Sequence, residues 1–283
     1  MLLYQMRKHI LTLIIFMGTL LSVTAQPLAS YRFEERSFSL GGGYADIIDT
    51  YLSPLNYNGA NVMLMGEHFS QTALSSNRWY TQSLFSLHGD YVMPRSGSGL
   101  MVGGMVDYSR TYYYRIRLKE ANFSVYVGSQ GQLRMGGIYN LRNSNNPAQL
   151  KLGVNAAVSA MAKYVFLLGD LPMNIRLQAD LPLLGVAFGP DYGQSYYEIF
   201  YLGESEGCVH TTSLHNNLSI RTNISCDIQL VSCTLRFILA NDFYQWTLKG
   251  QYYRMGIHSI MLGYVKNLYQ VVRDDRVRQY IPY

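Results

Sequence analysis

Between Leu218 and Phe237 the chain changes polarity residue by residue, and this constrains its fold more than any other feature. Leu218, Ile220, Thr222, Ile224, Cys226 and Ile228 share one parity, with Ser219, Arg221, Asn223, Ser225 and Asp227 between them. After a short break, Val231, Cys233, Leu235 and Phe237 resume the pattern. A period of two belongs to a strand with one apolar and one polar face. The apolar face must meet either the core of a soluble sandwich or the hydrocarbon of a membrane.

The same alternation recurs along the chain. Phe85, Leu87 and Tyr91 oppose Ser86, His88 and Asp90; Val106 and Tyr108 oppose Asp107 and Ser109; Leu133 and Met135 oppose Gln132 and Arg134. Leu152 and Val154 oppose Lys151 and Asn155, and Ile175, Leu177 and Ala179 oppose Arg176, Gln178 and Asp180. Turn clusters such as "MPRSGSG", "LRNSNNPA" and "FGPDYGQS" separate these runs, and none of them has a helical period. With about 20 residues for each membrane strand and its connection, the pattern predicts an antiparallel β-barrel of about twelve strands.

Three features favour lipid over a soluble core. The polar faces are mostly small and neutral, with charges of both signs: Asp90, Asp107, Arg176, Asp180 and Arg221 are expected to face the lumen. Charged residues make up 14% of the chain, against about 25% in a typical soluble domain. Tyrosine clusters at "TYYYRI" (111–116), "SYYEIF" (195–200) and "GQYYRM" (250–255) suit the aromatic girdle of a membrane barrel.

The first 25 residues read as a secretory signal peptide. Arg7 and Lys8 form the positive region, Ile10 to Val23 the apolar one, and Val23-Thr24-Ala25 the cleavage site. No cysteine follows that site, which argues against a lipid-anchored precursor. Together these features predict a signal peptide (1–25), a periplasmic segment (26–36), a barrel in the cell outer membrane (37–266) and a C-terminal tail (267–283).

The net charge of +5 is spread among acidic residues, which argues against a nucleic-acid partner. The expected partners are outer-membrane lipid and other envelope proteins. Three late cysteines, Cys208, Cys226 and Cys233, are too few for a disulfide framework or a zinc site. A turn at Gln229-Leu230 would set Cys226 opposite Cys233; two separate thiols are the alternative. His68, His88, His210 and His258 lack metal-ligand spacing, so neither metal nor cofactor is expected. Glycines 41–43 would let a first strand curve or make room for lumen side chains. Glu198 reads as a strand-end carboxylate.

The segments "PLLGVAFGPDYGQSYYEIFYLG" (182–203), "TTSLHNNLSIRTNISCDIQL" (211–230) and "DTYLSPLNYNG" (49–59) resemble a family of outer-membrane β-barrel proteins of Bacteroidota built on a domain of unknown function. The likeness runs from about Phe38 to Lys266. It implies fold and compartment, and it carries over no activity.

Ser213 and His215, two apart, with Asn217 next on the same parity, are the candidates for chemistry: a serine nucleophile with a histidine base would suit a lipid acyl hydrolase. Their parity matches the polar face of the strand that follows, away from acyl chains. The favoured reading is therefore non-enzymatic, a structural or scaffold subunit of an envelope complex or a narrow channel, with the hydrolase as the alternative.

Overall fold

A computed structural model describes residues 30–72, 78–118, 122–144, 146–191, 193–231, 233–273 and 277–282. The signal peptide lies outside them. Twelve strands follow in order: β1 (Ser30–Asp49), β2 (Ser53–Gln71), β3 (Trp79–Pro94), β4 (Met101–Arg117), β5 (Phe123–Asn140), β6 (Ala148–Leu168), β7 (Leu171–Phe188), β8 (Val209–Ser213), β9 (Asn217–Gln229), β10 (Thr234–Leu248), β11 (Gln251–Arg273) and β12 (Val277–Pro282). Each long strand pairs antiparallel with its sequence neighbour. β1 then pairs with β11 from Ser30↔Val272 to Asp49↔Tyr253, which closes the sheet into a barrel. Closure leaves no open edge around the ring, the condition for crossing a membrane with strands. Among the described residues, no helix is long and apolar enough to cross one.

Twelve strands do not make a twelve-strand ring. β8 and β9 lie end to end against β7, Ser213 opposite Leu184 and Arg221 opposite Asp180, so they share one position. β12 pairs only with the end of β11, outside the ring. Ten strand positions close the barrel. The larger expected number came from allotting about 20 residues to a strand with its connection, whereas β11 alone runs for 23. Pairing also extends past both limits read from the sequence: β1 starts at Ser30 and β11 continues to Arg273.

Local chemistry explains the irregular places. Leu183 is the extra residue of a bulge in β7, where Ala156 pairs with Leu184 but Ala157 with Pro182. A proline, which has no N–H to give the ladder, is tolerated at such a bulge. Lys249 and Gly250 both take positive φ, 46° and 78°, as a two-residue hairpin turn of the primed type requires. A Cβ on Gly43 would overlap the His258 carbonyl, and one on Gly41 that of Ile260. The first strand therefore needs glycine where β11 comes close.

The β9–β10 turn joins Gln229 to Thr234, with the Leu230 N–H donating to the Cys233 carbonyl at 2.8 Å. Cys226 consequently faces Phe237, not Cys233, and all three cysteines are free. The turn is longer than the two residues assumed from the sequence.

"SYYEIF" is not a strand. Residues Tyr196–Phe200 form a short helix, capped by Ser195, whose side chain accepts from the Glu198 N–H while Glu198 bonds back to the Ser195 N–H. Ser-x-x-Glu is the capping-box signature, and it was readable. Glu198 is a helix-cap residue, and the Ser195 N–H holds its carboxyl below the usual carboxylate range.

Candidate functional site in the barrel lumen

Parity sorts side chains to the two faces of the wall. On β9 the residues Leu218, Ile220, Ile224, Cys226 and Ile228 point outward, while Asn217, Ser219, Arg221, Asn223, Ser225 and Asp227 point into the lumen. On β10, Phe237 is 45% exposed on the outer wall and its neighbour Arg236 is fully buried inside. Ile260, Leu262 and Tyr264 of β11 are outward as well. The fold is thus apolar on its outer wall and charged within.

Asp90, Asp107, Arg176 and Asp180 are buried in the lumen, and Arg221 points there with them. All but Asp90 belong to two charge networks. Nearer the end that carries both termini, Arg236 Nη2 bonds Glu35 of β1 at 2.6 Å and Nη1 bonds Glu67 of β2 at 2.6 Å. Its Nε bonds Asp227 of β9 at 2.5 Å. Arg176 grips the other side of Glu67 at 2.8 and 2.5 Å, and Gln82 donates to the same carboxylate at 2.5 Å. Asp180 accepts from Ser159 at 2.5 Å and from Gln178 at 3.1 Å.

Higher in the lumen, Arg134 bonds Asp107 at 2.6 Å and also Asp242, while Arg221 reaches the same two carboxylates at 3.3 and 3.2 Å. Asp90 pairs with His88 at 3.1 Å and accepts from Asn61 at 2.7 Å. Buried charges are tolerable only when paired and hydrogen-bonded, and these networks tie β1, β2, β4, β5, β7, β9 and β10 across the lumen. A cavity lined by Asp107, Arg134, Asp180, Arg221 and Asp242 is about 20 Å³, room for roughly one water.

Toward the opposite rim the lumen is apolar, which the alternation did not foretell. Met63, Met65, Met101, Met105, Met255 and Met261 pack there with Ile47, Tyr57, Tyr253 and Ile257. Methionine suits this place because its unbranched side chain fills irregular gaps. Lys151 is the cation among them, 2.8 Å from Asp49 and 3.7 Å from the Tyr253 ring centroid. Of the tyrosine clusters, Tyr112 is on the outer wall whereas Tyr113 and Tyr253 fill the lumen. Adjacent residues of a strand point to opposite faces, so a run of tyrosines serves both.

Over this rim the β7–β8 connection is tied down. Tyr51 donates to the Gln194 carbonyl at 2.7 Å. Burial, with the nearby Asp49 and Glu198 carboxylates, pushes the Tyr51 hydroxyl up to about 12, so it stays a neutral donor.

Ser213 and His215 do meet, Oγ to Nδ1, in the exposed three-residue kink between β8 and β9. Asn217 does not join them; it is buried in the lumen and accepts from Ser219 at 2.6 Å. Asn216 holds the kink instead, accepting from the Ser213 N–H at 2.8 Å and donating to the Thr211 carbonyl at 3.0 Å. Among the described residues no carboxylate bonds His215, and a serine–histidine pair with no third group to orient the base is a poor nucleophile. The pair also stands apart from the charge networks. Glu35, Glu67 and Asp242 are lumen carboxylates that the alternation did not single out.

Similar barrels occur among solved structures. The translocator domain of the autotransporter NalP from Neisseria meningitidis is 10% identical over 92% of this chain and 95% of that one, with a TM-score of 0.37. The transport unit of the autotransporter AIDA-I from Escherichia coli is 9% identical over 90% and 84%, with a TM-score of 0.41. The COG4313 outer membrane channel from Pseudomonas putida F1 is 10% identical over 87% and 98%, with a TM-score of 0.35. No curated protein sequence matches the chain. Residues 9–275 match the family described as "Protein of unknown function (DUF3316)", and the chain belongs to that family.

Proposed function

We propose that the chain is an outer-membrane β-barrel with a lumen filled by its own side chains, serving as a structural or scaffold subunit of the envelope, neither an enzyme nor an open pore. The observation that carries this reading is Arg236, fully buried and bonded to Glu35, Glu67 and Asp227 from three strands. A cation shared in this way occupies the middle of the barrel, where a conducting path would run. The outer wall supports the membrane part. Val62, Leu87, Tyr108, Leu133, Val154, Leu177, Ile224 and Leu262, from eight strands, are all exposed, a belt far larger than the few hundred Å² of apolar patch that soluble monomers show. The signal peptide read from Arg7 to Ala25 would bring such a chain to the periplasmic side.

With its lumen closed, the surfaces left for function are the wall and the two rims, so partners would be lipid and other envelope proteins. Fractionation of cells should recover the protein with outer membranes, and gentle solubilisation should bring a stable envelope protein with it. Release as a soluble protein on osmotic shock would overturn the location. Purification as a solitary chain under every mild detergent would overturn the scaffold role.

A further inference from the structure

At the end that carries both termini, the lumen opens into a cavity of about 270 Å³. Its aromatic side is made by Phe69, Tyr80 and Tyr126. Phe69 and Tyr80 stack at 5.3 Å, and Tyr126 meets them edge-on at 5.7 and 5.2 Å. Its polar side is a row across three neighbouring strands: Arg115 on β4, Ser124 on β5 and Lys163 on β6. Arg115 Nη2 donates to the Ser124 hydroxyl at 2.8 Å, and Ser124 stands directly opposite Lys163 in the β5–β6 ladder. With strands about 4.8 Å apart, both cations flank one hydroxyl.

Neither cation has a carboxylate of its own, although Lys163 lies over the Phe33 and Phe69 rings at 5.7 and 5.3 Å. Arg115 forms no ion pair among the described residues, and its buried Nε has no hydrogen-bond partner. Lys163 lies 3.5 Å from Glu35, a carboxylate already held by Arg236 at 2.6 Å. Among the described residues the Arg115 side chain bonds only Ser124, which leaves guanidinium donors for an arriving oxyanion. Phe69 is stacked on Tyr80 and lies beneath Lys163, and the three rings together give the cavity an apolar lining for a flat body.

We propose that this mouth is a binding site for a small organic anion with an aromatic body, an arylcarboxylate. The carboxylate sits on the Arg115–Ser124–Lys163 row and the ring packs into the Phe69–Tyr80–Tyr126 bowl. The site touches the Arg236 network through the 3.5 Å Lys163–Glu35 pair but lies at the mouth, beyond the Arg236 cluster, so it holds whether or not the barrel conducts.

Calorimetric titration of the detergent-solubilised full chain with 2-naphthoate tests it, with naphthalene-2-carboxamide and inorganic phosphate as comparators. Saturable binding of 2-naphthoate is expected, with the neutral amide weaker by about tenfold or more, as loss of charge-assisted bonds implies. Phosphate, which has no apolar body, should compete poorly. Arg115→Gln and Lys163→Gln should each weaken 2-naphthoate by about tenfold, and Lys163→Arg should retain it. Unheated gel mobility identifies variants that still form the barrel, and the three-ligand comparison on the wild-type chain stands without them. Absence of 2-naphthoate binding, equal binding of the amide, or equal binding of phosphate would each overturn the proposal.

Discussion

Replacing Arg236 with methionine should be the most damaging single change in the lumen, lowering stability by about 3–5 kcal/mol, the usual consequence of removing one partner from a buried ion pair. Arg236 is fully buried and holds Glu35, Glu67 and Asp227 at once. Without it, Asp227 keeps a hydrogen bond from Asn174 at 3.1 Å but loses its ion pair, while Arg176 is left to hold Glu67 and shares Glu35 with Lys163. Methionine fills most of the space, so the loss is one of charge and not of volume. Lysine at the same place should recover only part of it, because a point charge does not reproduce the bidentate fork on Asp227. Urea unfolding from lipid vesicles reads the effect. Adding Asp227→Asn to Arg236→Met should restore some stability, since it removes the carboxylate that lost its ion pair. A loss below about 1 kcal/mol, the scale of an exposed pair, would mean that water already screens the network.

On the outer wall, Leu239→Arg should cost about 2–4 kcal/mol, the penalty for arginine at mid-bilayer on a barrel's lipid face. Leu239 is outward, opposite Ile224 and Ile260, with Leu235 and Phe237 on one side of it and Asn241, then Phe243, on the other. Leu235→Arg should be milder, near about 0–1 kcal/mol, because Leu235 sits one residue from the start of β10 and close to the membrane surface. Arg221→Leu should be milder than Leu239→Arg, since Arg134 still holds Asp107 and Asp242. Assembly yield and urea midpoints in vesicles would rank the three. Equal tolerance of arginine at 239 and 235 would contradict a hydrocarbon belt centred on Leu239.

The faces of the wall were legible because they are local. From Leu218 to Ile228, parity alone sorts inward from outward residues, since strand geometry leaves no other choice. Asp90, Asp107, Arg176, Asp180 and Arg221 were legible in the same way, by their apolar neighbours. The partners were not. Glu35 and Arg236 are 201 residues apart in the chain and meet through closure of the ring and depth along the barrel, which no local pattern encodes. Glu35 was further hidden by placing the first strand after residue 36, although Phe33 and Ser37 continue its parity. The apolar half of the lumen was missed for a different reason. Around Met101 and Met105 the outward Val102 and Val106 make both faces apolar, whereas around Met255 and Ile257 the outward neighbours are Arg254, Gly256 and His258, so the apolar face there is the inner one. The Tyr196–Phe200 helix is a single short turn whose tyrosines suit a strand end equally well, so only the Ser195–Glu198 cap distinguishes it.

The central claim is that side chains close this barrel, and single-channel recording in a planar lipid bilayer tests it most directly. Purified wild-type protein, verified as folded by its unheated gel mobility, should insert and remain silent or give steps barely above baseline. The expectation rests on the Arg236 lattice and the methionine-rich cluster, whose buried side chains fill the lumen. Steady, large conductance steps from the wild-type protein would contradict the account.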